Sequence, residues 1–438
     1  MIKLLRNLTK KDWLFACISL VFVVMQVWLD LTMPDYMSKI TMLVQTEGSK
    51  MQEILTLNSI SPKGIERLSS SLFHVADDVE APAGILVRSQ NMHEMELPES
   101  LLAIARAGAG TNNIPIDECT RRGIAVFNTP GANANAVAEL VVCGLMLGGR
   151  NVSGGIQWAQ TLKGQGDAIP KLVEKGKGQF AGPEVRGKTL GVIGLGAIGA
   201  IVANAAAEGL QMKVLGYDPF ISVESAWSLS RAVHHCASMD EIFANADYIT
   251  VHVPLNDGTR GLIGSANLAK MKDGVHLLNF SRAELADADA LTAALESGKV
   301  ASYVTDFPTE AVLAMKNAVV IPHLGASTPE SEENCARMAA QELREYLENG
   351  QIRNSVNLPE ILLGRSEGIR IQIIHGNEPG MVSAISAAIG ARKININNMV
   401  NKSRKDVAVT VLEVEKAPDS RLLTELMALP NVIRVRTF

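Results

Sequence analysis

Three side chains that can transfer protons or bind anions each follow a strand-like run of apolar residues. They are Arg282 in LNFSRAEL, Glu310 in TDFPTE and His323 in IPHLGAST. Because histidine titrates near neutrality, His323 can take a proton from a hydroxyl group or return it to a carbonyl. Glu310 can orient the imidazole and favour its protonated form, and Arg282 offers a planar fork for a carboxylate or a polarised carbonyl oxygen. The ends of strands in an open α/β sheet border one crevice, so these residues predict a shared cleft.

Each of the three residues also has a purely structural interpretation. A single histidine can be a packed core residue, and an arginine after a strand can be a surface ion-pair partner. A glutamate at the start of a helix can be a solvated carboxylate. The catalytic interpretation therefore depends on the three residues occurring together beside a cofactor motif.

A glycine-rich turn lies upstream of these residues, between a hydrophobic strand and an alanine-rich helix. The residues of this turn that are predicted to contact a cofactor are Gly194, Gly196, Ala197, Ile198 and Gly199. The first glycine permits the tight turn, the second lets the backbone approach a pyrophosphate, and the third lets the helix pack on the strand. The free N–H groups and the dipole of the helix N-terminus then favour phosphate groups.

A second strand ends at Asp218, 19 residues beyond Gly199. This carboxylate would accept hydrogen bonds from the adenosine ribose and repel a 2′-phosphate, so the sequence predicts NAD rather than NADP. A lone GxGxxG also occurs in simple turns, but here strand, glycines, helix, second strand and carboxylate follow in order. A nicotinamide accepts a hydride, and oxidising an alcohol also requires a base, which is the role predicted for His323. No metal site is predicted.

The alternation of strand-like and helical stretches after residue 50 predicts an α/β fold with parallel sheets. The glycine-rich stretch 148–187 is interpreted as an inter-domain loop. Residues 330–347 have the pattern of a long amphipathic helix that returns to the first domain. From residue 369 the order becomes βαββαβ, the pattern of a small ferredoxin-like module.

Residues 51 to about 360 resemble the D-isomer-specific 2-hydroxyacid dehydrogenases. The matching segments are ARAGAGTNNI (105–114), RGKTLGVIGLGAIG (186–199), ADYITVHVPL (246–255), LLNFSRAEL (277–285) and IPHLGAST (321–328). The resemblance implies that Arg282, Glu310 and His323 form the catalytic triad of that family. It also implies cofactor contacts at Pro254 and Asp306.

The same resemblance implies a substrate site. In that family the substrate carboxylate meets N–H groups of a glycine loop, which falls on residues 107–110, with Ala109 and Gly110 as the predicted contacts. Arg88 and Ser89 would face the far end of the substrate.

Two positions depart from the family pattern. Ala283 follows the catalytic arginine where glycine is usual, which would cost on the order of 1 kcal/mol if that position needs a positive φ. The segment 306–308 is one residue shorter than the usual Asp-x-Phe-Pro, which affects the placement of Glu310.

Residues 369–438 resemble an ACT domain, a small regulatory module. Joined to a dehydrogenase of this family, it implies the oxidation of 3-phospho-D-glycerate to 3-phosphooxypyruvate with NAD, the first step of L-serine synthesis. It also implies L-serine as an effector bound at His375, Asn377 and Asn395. Asn377 can equally be an ordinary helix N-cap before a proline.

Two alternatives stay open: a dehydrogenase of another D-2-hydroxy acid, and an NAD-sensing binding protein on the same scaffold. We expect a homo-oligomer formed through the nucleotide and ACT domains. The predicted division of the chain is 1–50, a hydrophobic helix segment; 51–150 and 332–350, a substrate domain; 151–331, an inserted NAD-binding Rossmann domain; 351–368, a linker; and 369–438, the ACT-like domain.

The composition favours a cytoplasmic enzyme. Lys and Arg number 41 against 46 Asp and Glu, a net charge of −5, which gives no basic surface for nucleic acid. The five cysteines have no CxxC spacing, so neither a disulfide framework nor a zinc site is predicted.

The first fifty residues differ from the rest. An uncharged run between Asp12 and Asp30, WLFACISLVFVVMQVWL, is typical of a membrane helix and resembles the first transmembrane helix of an ABC exporter permease. Nothing later supplies further spans or an ATP-binding phosphate loop, so a transporter is excluded. We interpret the segment as a fused fragment before a natural start at Met51. Any membrane association would depend on it alone, and we expect it to contribute nothing to catalysis.

Overall fold

The computed structural model describes residues 51–364 and 368–438. The predicted membrane helix, like all of residues 1–50, lies outside the described residues. Within those two ranges, no single helix has the length and apolar character needed to span a membrane. One helix pair, Ala134–Gly149 with Val152–Thr161, has the required length and composition when the two helices are taken together, but it is bent by 67°. The first helix of this pair packs in a core, where Val137, Val141 and Leu145 are buried.

A five-stranded parallel sheet, with the order β2-β1-β3-β4-β5, forms the first layer. Its strands are β1 (Gln52–Leu57), β2 (Phe73–Ala76), β3 (Gly84–Val87), β4 (Ala103–Arg106) and β5 (Ala125–Phe127). The sequence predicted four of the five strands. It did not predict β2, an edge strand of four residues in which only Phe73 is buried.

A seven-stranded parallel sheet, with the order β12-β11-β10-β9-β6-β7-β8, forms the second layer. Its strands are β6 (Thr189–Ile193), β7 (Lys213–Tyr217), β8 (Val233–His235), β9 (Tyr248–Val251), β10 (Val275–Asn279), β11 (Val300–Thr305) and β12 (Ala318–Val320). The short edge strand β8 was not predicted. Two parallel sheets with interleaved helices confirm the predicted α/β class with a Rossmann-like domain.

The third sheet is antiparallel, with the order β14-β15-β13-β16. Its strands are β13 (Ile369–Gly376), β14 (Ile396–Arg404), β15 (Val407–Val414) and β16 (Val432–Thr437). The predicted βαββαβ order is present.

The helices connect and cover these sheets. They are α1 (Pro62–Ile65), α2 (Ile116–Arg121), α3 (Ala134–Gly149), α4 (Val152–Thr161), α5 (Ile169–Gly176), α6 (Ala197–Asn204), α7 (Val223–Ser228), α8 (Met239–Asn245), α9 (Ser265–Lys270), α10 (Ala288–Ser297), α11 (Glu310–Ala314), α12 (Pro329–Asn349), α13 (Met381–Ala391) and α14 (Ser420–Met427). The predicted long helix is α12, capped by the Thr328 side chain and ended by Gly350 in the left-handed conformation.

The prediction of a loop through residues 148–187 was wrong, because α4 and α5 lie within it. One of the glycines, Gly176, makes room for an aromatic side chain. The rings of Trp158 and Phe180 pack at 5.4 Å, and a Cβ on Gly176 would collide with the Trp158 ring.

The C-terminal sheet packs directly on the first layer. One face, including Ile371 and Ile373, is covered by its own helices, since alternate strand residues face opposite sides. The other face, including Ile374 and Val409, joins the core of the first sheet. The Arg436 guanidinium lies 4.7 Å from the centre of the Tyr346 ring of α12.

Residues 351–368 were predicted to be a linker. The described portion of this segment is part of that shared core. Ile352, Leu358 and Ile361 are fully buried there. Burial of these apolar side chains between the two sheets stabilises the fold, so this segment is part of the packed core and is not a flexible linker.

Candidate active site

The carboxyl ends of both parallel sheets border one cleft of about 1490 Å³. The first sheet contributes the segments that follow β3 and β4, and the second contributes the turns after β6, β9, β10, β11 and β12. The first turns of α12 supply Ser331, Glu332 and Cys335. Ligand sites in α/β folds occur at these strand ends, so the cleft is the candidate active site.

The glycine turn after β6 is held by close backbone packing. Gly194 has φ +94°, and a Cβ there would come within 2.5 Å of the His252 carbonyl oxygen. A Cβ on Gly199 would collide with the Gly194 carbonyl oxygen. A Cβ on Gly196, in contrast, would meet no atom within 4 Å. The turn therefore leaves open space at Gly196, where α6 begins and where Ala197 and Ile198 line the cleft. A pyrophosphate fits this arrangement.

Asp218 follows β7 and lies against the same turn. Its carboxylate accepts the Leu195 N–H at 2.9 Å and the Phe220 N–H at 2.8 Å. These bonds hold a negative charge beside the glycine turn, as the ribose-binding role requires. The other two residues predicted to contact the cofactor, Pro254 and Asp306, both line the cleft.

His323 lines the cleft in a strained backbone conformation. Its φ is +32°, in a region that costs an L-residue roughly 1 kcal/mol or more. The His323 N–H donates to the carbonyl oxygens of Asp306 and Ile321, both at 3.0 Å, which holds this conformation. The imidazole meets the Phe307 ring edge-on at 5.1 Å.

The carboxylate that lies near His323 is Asp306 and not Glu310. Burial raises the pKa of Asp306, while the nearby charge of His323 acts in the opposite direction. The Asp306 Oδ2 accepts the Gly325 N–H at 3.3 Å, which fixes the carboxylate in the site.

The predicted pairing of Glu310 with His323 is absent from this structure. The shortened turn after β11 leads straight into α11, which the Thr309 side chain caps. Glu310 is therefore the exposed first residue of that helix and does not line the cleft.

Arg282 is positioned by Asn279, a buried residue that the sequence did not single out. The Asn279 side chain donates to the Arg282 carbonyl at 2.8 Å and accepts from the Ser281 N–H at 3.1 Å. The next residue, Ala283, starts a 3₁₀ turn and is not among the residues with positive φ. Alanine at that position therefore carries no left-handed strain.

The glycine loop after β4 offers free backbone donors. The N–H groups of Ala107 and Gly108 donate to carbonyls of Val87 and Arg106. Those of Ala109 and Gly110 have no protein acceptor among the described residues, and both residues line the cleft. This loop faces the Arg282 guanidinium, since a Cβ on Gly110 would lie 3.9 Å from its Nη2.

Sequence reasoning missed Arg106, which supports both this loop and the segment after β3. Its Nε donates to the Arg88 carbonyl at 2.9 Å and its Nη1 to the Gly110 carbonyl. Burial lowers the pKa of Arg106, and the guanidinium groups of Arg282 and Arg88 lower it further. Arg88 and Ser89, predicted at the far end of the substrate, both line the cleft.

Sequence reasoning also missed His252, at the end of β9 in VHVPL. Burial lowers its pKa to about 4, so the imidazole is neutral at physiological pH. Its Nε2 lies 3.0 Å from Thr250 Oγ1, and its buried Nδ1 has no partner among the described atoms. The motif ADYITVHVPL contained the signal, a histidine two residues before the proline of a strand end.

The three residues predicted to bind serine are not brought together within one chain. His375 is buried near the carboxyl end of β13, with its Nε2 2.8 Å from Thr410 Oγ1. Asn377 follows it, and its side chain donates to the Lys405 carbonyl at 3.0 Å. Asn395 precedes β14 at the opposite end of the sheet, on the order of 20 Å away by strand length.

Comparison with known proteins assigns the family. A family model described as D-isomer specific 2-hydroxyacid dehydrogenase, NAD binding domain, matches residues 154–325. A D-3-phosphoglycerate dehydrogenase of Haemophilus influenzae is 32% identical over 366 residues, which cover 81% of this chain and 85% of that protein. The chain belongs to the D-isomer specific 2-hydroxyacid dehydrogenase family.

Two further members of this family extend the comparison. A D-3-phosphoglycerate dehydrogenase of Archaeoglobus fulgidus is 34% identical over 322 residues, 71% of this chain, but the match spans only 58% of that longer protein. The NAD⁺-bound 3-phosphoglycerate dehydrogenase of Entamoeba histolytica has a TM-score of 0.54 and 26% identity, over 70% of this chain and 99% of that one. This 2-hydroxyacid dehydrogenase uses NAD, in agreement with the cofactor predicted from the glycine turn and Asp218.

Asp218→Asn should reduce the preference for NAD over NADP. Asparagine keeps an acceptor oxygen for the Leu195 N–H, but the charge that repels a 2′-phosphate is removed. We expect the ratio of kcat/KM for NAD to that for NADP to fall about 10-fold or more. This ratio reports the effect of the charge alone, because any loosening of the turn weakens the binding of both cofactors alike. An unchanged ratio would show that Asp218 does not discriminate between the ribose of NAD and that of NADP.

Proposed function

We propose that this dehydrogenase oxidises 3-phospho-D-glycerate to 3-phosphooxypyruvate with NAD, the first step of L-serine biosynthesis, in the cytoplasm. The observation that carries the proposal is the charge of the substrate end of the cleft. Arg88, Arg106 and Arg282 line the cleft together with the glycine loop, and Arg106 and Arg282 lie next to Gly110. A substrate with an anion at each end, a carboxylate and a phosphate, is complementary to that surface. The relatives named D-3-phosphoglycerate dehydrogenase support the same substrate.

In the proposed reaction, the glycine loop and Arg282 bind and orient the substrate carboxylate. The N–H groups of Ala109 and Gly110 are the donors available in the loop. His323 takes the proton of the hydroxyl group on C2 as the carbonyl forms. The nearby Asp306 carboxylate stabilises the resulting imidazolium. Bound NAD supplies the hydride acceptor for the C2 hydrogen. The neutral His252 adds no competing cation to this end of the cleft.

We propose that Glu310 can act on His323 only after a rearrangement of the turn at 306–309. In the described structure, Asp306 is the carboxylate available to His323. Replacement of Glu310 therefore tests the family assignment of the triad separately from the role of His323.

We further propose that L-serine regulates the enzyme through the C-terminal domain. A series of hydrogen bonds supports coupling between the two sites. At one end, the Asn377 side chain donates to the Lys405 carbonyl, and the adjacent Arg404 donates to the Ser355 carbonyl at 2.7 Å.

The series continues from Ser355 into the substrate loop. The carbonyl of Asn354 accepts the Asn128 N–H at 3.4 Å, and the Asn128 side chain donates to the Ala109 carbonyl at 2.6 Å. We propose that a change at Asn377 alters the glycine loop through these hydrogen bonds, which all lie within one chain. Such coupling must be reciprocal, so substrate would change serine affinity by the same factor.

The proposed serine site requires two copies of the chain. His375 and Asn377 lie at the opposite end of the sheet from Asn395, so all three can meet only where two sheets lie antiparallel, side by side. Among the described residues, one side of the edge strand β14 has no strand partner. This arrangement supports the proposed homo-oligomer.

The substrate proposal predicts a strong preference for a phosphorylated substrate. NAD reduction should show a kcat/KM for 3-phospho-D-glycerate at least 10-fold above that for D-glycerate, D-lactate or 2-hydroxyglutarate. His323→Ala should lower kcat by about 10²–10⁴ while NAD still binds, because only the proton transfer is lost. A preference for an unphosphorylated acid would favour the alternative dehydrogenase. NAD binding without turnover of any acid would favour an NAD sensor.

The regulatory proposal predicts that Arg404→Met weakens the effect of serine. L-Serine titrated during NAD reduction should change wild-type turnover, and Arg404→Met should reduce that response with little change in basal activity. Lys402→Met is the matched control, because Lys402 is exposed on the same face of β14, two residues earlier. Constant wild-type activity up to high millimolar serine would contradict regulation, and equal responses of both variants would contradict the role of Arg404.

A further inference from the structure

The cation at the far end of the cleft is held by a carboxylate of the protein itself. The Arg88 Nη2 donates to the Glu332 Oε1 at 2.5 Å, and both residues line the cleft. Arg88 follows β3 of the first sheet, whereas Glu332 lies in the first turn of α12, 244 residues later. The pair therefore joins two separate walls of the substrate site.

The neighbouring arginine is already engaged with the backbone. Arg106 donates to the carbonyls of Arg88 and Gly110, so it supports the loops instead of presenting its guanidinium to the far end of a substrate. Arg88 is a guanidinium that a distal anion can engage, and such an anion would meet the Glu332 carboxylate already bound at Nη2.

We propose that Glu332 is a specificity-determining residue that competes with the distal phosphate of the substrate for Arg88. This inference rests on the proposed function, because it takes a phosphorylated 2-hydroxy acid as the ligand. The phosphate breaks the Arg88–Glu332 pair when it binds, and the pair re-forms when the phosphorylated product leaves.

The exposure of the pair makes this exchange feasible. The side chains of Arg88 and Glu332 are 39% and 44% exposed, and ion pairs in that environment contribute little and are screened by salt. A phosphate carries more charge than a carboxylate and three acceptor oxygens, so it displaces Glu332. The displaced carboxylate remains near the bound dianion and repels it, which lowers affinity. A substrate with an uncharged distal end leaves the Arg88–Glu332 pair intact, and Glu332 does not change its affinity.

Glu332→Gln should therefore tighten the binding of phosphorylated ligands. We expect the Kd of inorganic phosphate, measured by calorimetry on the NADH-saturated protein, and the KM for 3-phospho-D-glycerate to fall about 3- to 10-fold at low ionic strength. The difference should shrink in 0.5 M KCl. The KM for D-glycerate should be unchanged.

Glu333→Gln is the matched control. It removes the same charge from the next residue of α12, but Glu333 pairs with Lys63 at 2.7 Å and does not line the cleft. Its phosphate affinity should equal that of the wild type. In an Arg88→Gln background, Glu332→Gln should have a smaller effect on phosphate affinity, since competition for Arg88 is lost and only the repulsion between Glu332 and the phosphate remains. Melting temperatures of all variants check that they fold.

An unchanged phosphate Kd in Glu332→Gln would overturn the proposal. A weaker affinity would also overturn it and would show that Glu332 instead orients Arg88 for the ligand. The proposed function fails separately: tighter phosphate binding without oxidation of 3-phospho-D-glycerate would contradict only the substrate assignment. Oxidation with identical phosphate affinities would contradict only the role of Glu332.

Discussion

The close approach of the Gly194 carbonyl to the backbone at Gly199 determines where helix α6 begins, which is where we propose that the cofactor lies. No side chain fits between strand β6 and helix α6 at these two positions, so the helix begins directly at the edge of the sheet. The start of α6 consequently opens onto the cleft, next to the Asp218 carboxylate. Every other part of the site is placed relative to this turn, because the remaining strands of the parallel sheet end on the same side.

The site also requires that the carboxyl ends of the two parallel sheets face each other. Helix α12 provides this, since it starts in the cleft with Ser331 and Glu332 and ends in the shared core with Tyr346 and Leu347. That core also includes one face of the C-terminal sheet. The C-terminal module is thus packed against the same helix that lines the cleft, and the proposed regulation could act through that helix.

The features that depend on local backbone chemistry could be predicted from the sequence. The glycine turn, Asp218 and the positions of Arg282 and His323 after their strands follow from strand, turn and helix patterns alone. Arg106 was missed because its role depends on a contact with the Arg88 carbonyl, beyond a neighbouring strand. Asn279 and His252 have local partners, and they were missed because their burial depends on how the chain packs around them. Glu310 was assigned to His323 by motif, but the turn after β11 makes it the exposed first residue of a helix, and Asp306 is the carboxylate near the imidazole. The 148–187 stretch was misread as a loop because the helices there tolerate their glycines through packing, as where Gly176 makes room for the Trp158 ring.

The affinity of Gly196→Val for NADH tests the central claim most directly, that this turn is the cofactor site. Residue 196 has φ −71°, which valine adopts freely, and a Cβ there meets no protein atom within 4 Å. The variant should therefore fold with a melting temperature close to that of the wild type, while its side chain fills the space assigned to the pyrophosphate. Calorimetry should show a loss of NADH affinity of about 10-fold or more. A folded Gly196→Val protein that binds NADH as tightly as the wild type would contradict the account.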